Sequence, residues 1–339
     1  MQRLIGAIVL LLAACGSDPV ATDDYPAAAR DALCRYFARC GDAEGTDACK
    51  SANLQGAVFL SGNEAYLSAS TQAAIAMKKI QFDGDSARAC LDALAGRSCD
   101  LTSQSGRVEP EACRTVFRGT LHDGEDCALD DECGSGFCNV PTCELACCTG
   151  ACLGDAAPPR ARDGESCEVA RCEDGLYCDQ LTATCAGLKQ VGETCLSSVE
   201  CDFGLDCDLD AGTCGPLPTL GDACTGACRD EGTTCSSASH TCVKVGLVGD
   251  TCSTSLDCSP LYRCDGTKRC SAGLPLDAAC TAGQLCADEG AFCDVAEGQQ
   301  LGTCTLPKPD GSPCQFDENC ESHVCDAQTL HCAPDQVCI

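Results

Sequence analysis

The sequence predicts small disulfide-rich repeats, made of loops and short β-hairpins, preceded by an α-helical domain. Three observations carry that expectation. The chain has 39 cysteines in 339 residues, far above ordinary usage. A cysteine-led motif recurs at a nearly constant interval across residues 124–339. The stretch before it is alanine-rich and patterned at helical spacing. Aromatic residues make up only 4% and tryptophan is absent, so little apolar surface is available for burial. Much of the stability must then come from covalent constraint.

Residues 1–14 read as a signal peptide. Arg3 supplies a short positive region, residues 4–12 are uninterruptedly apolar, and the small residues Ala13 and Ala14 follow. The apolar stretch is too short to span a bilayer. Leu12-Ala13-Ala14-Cys15 resembles the lipobox of bacterial lipoproteins, which implies a diacylated Cys15 as the first residue of the mature chain. More than one acyl chain gives stable anchoring, at about 0.8 kcal/mol per buried CH₂. The expectation is therefore an exported outer membrane lipoprotein, facing the surface or the periplasm. Setting Cys15 aside leaves 38 cysteines, an even number suited to an oxidising compartment.

Residues 15–23 form a short tether, and residues 24–118 a helical domain. Pro26 suits a first helical turn, and residues 27–40 place Leu33 and Phe37 at i, i+4 with Cys34 beside them. Gly41 ends that helix. Further helices are expected at residues 64–79 and 86–94, the latter capped by Asp85 or Ser86 after the turn residues Asp83 and Gly84. Cys34, Cys40, Cys49, Cys90, Cys99 and Cys113 are enough for three internal bridges.

From Gly124 the motif Gly-acidic-x-Cys starts units at Cys127, Cys167, Cys195, Cys224 and Cys252; weaker starts precede Cys280 and Cys314. The starts from Cys167 to Cys280 are separated by 28, 29, 28 and 28 residues. Seven repeats follow, at about 124–152, 164–185, 192–214, 221–242, 249–270, 276–304 and 311–338. Each holds at least four cysteines, hence two bridges, each contributing about 2–4 kcal/mol by restricting the unfolded chain. Four cysteines allow three pairings. The pairing favoured here is first to third and second to fourth: Cys195 with Cys207, Cys201 with Cys214, Cys252 with Cys264, Cys258 with Cys270. A Cys-Asp step recurs at Asp179, Asp208, Asp265, Asp294 and Asp326, where the carboxylate can open a hairpin turn by bonding its own backbone.

The unit resembles the N-terminal cysteine-rich region of Dickkopf proteins, most clearly at Cys127-Ala128-Leu129-Asp130-Asp131-Glu132-Cys133-Gly134-Ser135-Gly136-Phe137-Cys138 and at Glu200-Cys201-Asp202-Phe203-Gly204-Leu205-Asp206-Cys207. The whole design is similar to the cysteine-rich lipoproteins of myxobacteria, which join an alanine-rich helical domain to such units. The resemblance is one of spacing and glycines, so it implies fold more than function. Nothing in the chain resembles the colipase-like domain through which Dickkopf proteins engage a receptor.

Charge narrows the function. Residues 1–123 carry 12 Lys/Arg against 15 Asp/Glu, while residues 124–339 carry 10 against 36. So acidic an array repels phosphate backbones, and no nucleic-acid partner is expected. Its acids keep an exposed, extended array soluble. Zinc is disfavoured: Cys143, Cys147, Cys148 and Cys152, or Cys224 and Cys228, are closely spaced, but only four histidines exist and the spacing repeats as a scaffold. Residues 206–212 mimic the start of an EF-hand, yet Ala211 stands where glycine is needed and Leu217 where a bidentate glutamate is needed. No nucleophile–base arrangement, nucleotide-binding glycine pattern or C-x-x-C motif is present. No catalytic residues, metal or cofactor are assigned.

Seven cysteines in the first unit and five in the last leave an odd cysteine in each, such as Cys338 in the last; either the two bridge over a long range, or each remains free or pairs between molecules. The leading functional expectation is a non-catalytic, lipid-anchored stalk displaying repeats to an envelope or extracellular protein or glycan. Two alternatives stay open: an enzyme or protease-inhibitor module in residues 24–118 held off the membrane by the repeats, or weak calcium binding by the acidic array.

Overall fold

The structure, a computed structural model, describes residues 18–54, 63, 66–102, 110–140, 148–157, 159–168, 170–208, 211–224, 226–281, 283–288, 290–296 and 298–335. Cys15, expected to carry the lipid, Cys338, expected to be the last unit's odd cysteine, and the close-spaced Cys143 and Cys147 lie outside the described residues. Among the described residues no helix is long and apolar enough to cross a membrane.

Helix α1 (Tyr25–Cys40) has Pro26 in its first turn and stops where Gly41 turns left-handed, at φ 93°. α2 (Thr46–Lys50) follows, then α3 (Ala69–Ala76) and α4 (Gly84–Ala95). Three expectations are corrected here. The helix expected at 64–79 is helical only over Ala69–Ala76 among the described residues, because Ser68 caps it and Lys78 turns left-handed at φ 63°. The cap of α4 is Asp83, not Asp85 or Ser86: its carboxylate accepts from the backbone N–H of both, which starts the helix earlier. The tether does not stay free to residue 23, since Val20 is buried and its N–H donates to the Gly84 carbonyl.

The domain is not wholly helical. Strand β1 (Ile80–Phe82) pairs antiparallel with β2 (Phe117–Gly119), closing the domain's end onto its middle. Tyr25 packs edge-on against Phe82 and Phe117 over a core of Val20, Ala29, Ala32, Ala87, Cys90, Leu91 and Val116. Bridges Cys34–Cys49 and Cys40–Cys99 hold α1 to its neighbours, and Cys90–Cys113 ties α4 to the turn at Glu111–Thr115.

In the second to seventh repeats the third and fourth cysteines sit directly opposite one another in a short antiparallel hairpin, as Cys207 does with Cys214 and Cys325 with Cys332, and in the first Cys138 faces Cys152 in the same way. Residues opposed in a hairpin point to the same face. Both sulfurs therefore reach back to the leading loop, and the bridges run first to third and second to fourth in the second to seventh units; in the first, Cys127 bonds Cys138 and Cys133 bonds Cys152, its seventh cysteine. Thus Cys195 bonds Cys207 and Cys201 bonds Cys214; Cys252 bonds Cys264 and Cys258 bonds Cys270. The buried centre of a unit is little more than these cystines, for example Cys195, Cys201, Cys207 and Cys214 with Leu205. Every described cysteine is disulfide-bonded, Cys148 included.

The array does not extend away from the helical domain as a stalk. It curls around it, and all seven units touch the domain. Glu132 of the first unit lies 3.5 Å from Lys79, Asp174 of the second 3.9 Å from Arg114, and Gly204 of the third packs on Thr102. The fourth bonds Asp100 through Arg229, and the fifth inserts Leu261 and Tyr262 beside Phe37. Asn53 donates to the carbonyls of Cys286 and Ala291 in the sixth, and Tyr66 donates to Asp335 in the seventh. Asn63 in turn reaches Asp131 of the first unit. Asn63 and Tyr66 are thus contacted by the first and the last unit of the array. Leu33, Cys34 and Phe37, the apolar stripe visible in the sequence, serve this docking.

Candidate functional site

A recess lies where the helical domain meets the fourth and fifth units. It is a cleft of about 440 Å³ lined by Asp42 and Leu101, by residues 230–234 and Val245, and by Ser255, Leu256, Cys258, Pro260 and Arg263.

Its walls follow from local folding. Because Gly41 is left-handed, the chain doubles back at the end of α1 and the Asp42 N–H bonds the Phe37 carbonyl. Asp42 is thereby turned inward, and its own carbonyl accepts from Ser259 Oγ at 2.6 Å. The fourth unit lays residues 229–231 along residues 99–101: Leu101 N donates to Arg229 O, and Glu231 N to Cys99 O. Arg229 clamps Asp100 with Nη2–Oδ2 at 2.7 Å and Nε–Oδ1 at 3.3 Å. Gly232 at φ 72° completes the approach: a Cβ there would stand 2.2 Å from the Cys40 carbonyl oxygen, so only glycine fits.

Enclosure sets the electrostatics. Asp42 is 1% exposed, and its Oδ2 has no hydrogen-bond partner. Burial, reinforced by the Glu231 charge, pushes its carboxyl up to about 7. Burial also raises Glu231, opposed by the hydroxyl of Tyr36, which donates to Glu231 Oε2 at 3.3 Å, and by the Arg97 charge. The Tyr36 phenol is itself pushed up to about 12, chiefly by burial and then by Glu231. Asp100 moves the other way, held far below the usual carboxylate range by its bonds from Arg229 and Thr102. Asp42, Asp230 and Glu231 line the cleft together with the guanidinium of Arg263, which spends its Nη1 on the carbonyls of Pro260 and Tyr262.

Elsewhere, the residues considered from sequence have structural duties. Cys224 and Cys228 bond Cys235 and Cys242, so these sulfurs are not thiolates able to hold zinc. In the EF-hand-like stretch, Asp206 accepts from Cys207 N and Asp208 from Ala211 N, while Leu209 and Asp210 lie outside the described residues. His122 faces Asp155 at 3.3 Å, and His323 stacks on Tyr66 at 4.4 Å. The recurring acids are backbone acceptors. In Gly-acidic-x-Cys the acid takes the N–H three residues before it: Glu125 from His122, Glu165 from Arg162, Glu193 from Gln190, Asp222 from Thr219, Asp250 from Leu247. The Cys-Asp step does the same in the hairpin turn, as Asp326 does for Gln328 and Thr329.

Sequence reasoning missed the cleft because Asp42 and Glu231 belong to different parts of the chain and carboxylates abound. The one local signal was Gly41, which ends a helix but says nothing of what the next side chain faces.

No family model matches this chain. Neither a curated protein nor a solved structure matches it. What the chain does must therefore be argued from its own geometry. The extensive disulfides fit an exported or extracellular protein.

Proposed function

We propose that this chain is a non-catalytic, lipid-anchored protein of the bacterial cell envelope that works by recognition. The observation that carries the reading is the wrapped array. Seven cystine-stapled units are pinned to one helical domain, and their junction leaves a preformed, acid-lined recess. Rigid loops on a covalent scaffold bind with little ordering cost, which is what a recognition surface needs. The lipid anchor is supported by Cys15 directly after an apolar leader. The partner sought is an envelope or extracellular protein or glycan.

Affinity capture from envelope extract tests this with the oxidised chain and a reduced, alkylated control. A defined partner recovered only by the oxidised form is the expected result. Equal capture by both forms, or an unacylated Cys15 in the mature membrane-fraction protein by mass spectrometry, overturns the corresponding half of the proposal.

A further inference from the structure

A fully enclosed carboxylate oxygen without a hydrogen bond is costly in a finished fold, because a buried polar group normally finds a partner. Asp42 Oδ2 is such an atom, and Asp42 is one of the residues lining a cleft open to solvent. Glu231 and Asp230 stand on the same wall, so any ligand meeting Asp42 enters a negative field. Leu101, Val245, Leu256 and Pro260 add apolar lining to the same cleft. A bare divalent cation would use only the acids, and it seeks six or more oxygen ligands. An ammonium group on an aliphatic stem uses both kinds of lining. It brings three donors to the carboxylates and lays its methylenes along the apolar residues. The volume, about 440 Å³, also belongs to the range of organic ligand sites.

We propose that the cleft between the helical domain and the fourth and fifth units binds a primary alkylammonium group, with Asp42 as the enclosed acceptor and Glu231 as the second. A lysine side chain of a partner protein and a free alkylamine share this chemistry. The inference rests on the recognition reading above and gives it a ligand class.

The charged and titratable groups facing Asp42 are Tyr36 from α1, Arg97 after α4, Glu231 and Asp230 from the fourth unit, and Glu44, Tyr262 and Arg263 around the fifth. Within that set, Asp42 ionises near neutrality. Affinity for the amine should therefore rise with pH up to about 7 and then level off, since an alkylammonium stays charged well above that.

The test is calorimetric titration of the full disulfide-bonded chain at pH 8 with N-acetyl-lysine methylamide and n-pentylamine. N-acetyl-norleucine methylamide and calcium chloride are the controls. The two amines should bind saturably while norleucine and calcium give no heat. Asp42→Asn should weaken binding at least tenfold and Glu231→Gln severalfold. Leu256→Arg, on a side chain 72% exposed and so tolerant of change, should block the cleft and cost at least tenfold. Tighter binding of the lysine derivative assigns the site to a protein partner, and equal binding assigns it to small amines; both support it. Norleucine matching lysine, calcium binding that Asp42→Asn abolishes, unaltered affinity in both Asp42→Asn and Leu256→Arg, or silence from every probe overturns it. Silence here with successful partner capture would remove the cleft and leave the recognition reading standing.

Discussion

Asp42 brings a cost to this fold that changes with pH. Its carboxyl titrates near 7 in the folded chain against an ordinary 3.8, so between those values the folded state holds a proton that the unfolded state has lost. Stability consequently falls as pH rises across that window and stays reduced above it. Each unit of displacement corresponds to about 1.4 kcal/mol. Asp42→Asn should leave stability nearly unchanged at pH 4 and raise it by a few kcal/mol at pH 8, measured by denaturant unfolding at both. Asp100 works in the opposite sense. Arg229 and Thr102 favour its ionised form, so its contribution is present at neutral pH and fades as pH drops below the ordinary 3.8. The two acids hold the same junction and set limits on it from opposite sides.

At the scale of the repeat, one exchange of residues accounts for the irregular starts. In the first five units an acid accepts the N–H three residues upstream. In the sixth and seventh that upstream residue is Pro275 or Pro309, which has no N–H, and the acid is replaced by Ala278 or Ser312. The glycine before the acid turns left-handed in the other six units, and in the sixth Asp277 takes the same backbone form at φ 64°. In all seven, that residue's N–H donates to the carbonyl of the cysteine that closes the unit's second bridge, from Cys152 in the first to Cys332 in the last. Glu165→Ala should therefore cost about 1 kcal/mol locally, read as roughly fivefold faster hydrogen exchange at Arg162. Ala278→Glu should gain nothing at Pro275. Much of this architecture was legible in the sequence because cysteine spacing and glycine carry it without reference to distant residues. The caps of α3 and α4 were misplaced because Ser68 and Asp83 act through side-chain bonds that several neighbouring residues could equally have made.

For the molecule as a whole, the decisive contacts are those the sequence does not mark. Leu33 and Phe37 announce an apolar stripe on α1 but not its partner. Leu261 and Tyr262, which complete that core, are ordinary apolar residues inside the fifth unit. Wrapping is a long-range property, set by side chains hundreds of residues apart, and no periodicity reports it. Phe37 is buried at 3% exposure, so Phe37→Ala should cost about 3–5 kcal/mol. The loss should fall on the docking and spare the units, whose cystines remain closed. Small-angle scattering should show a larger radius of gyration for the variant, with non-reducing peptide maps unchanged. An unaltered radius would show that the polar contacts at Asp100, Asn53 and Tyr66 suffice alone.

The seven docking contacts differ from one another, although the interiors of the units are nearly alike. Arg229 seeks Asp100, Tyr262 seeks Phe37, and the backbone of the sixth unit seeks Asn53. Each module thus carries its own postal address on an otherwise shared chassis. A chimera in which the second and fifth modules trade places would still oxidise into sound modules, yet each would arrive at the wrong door.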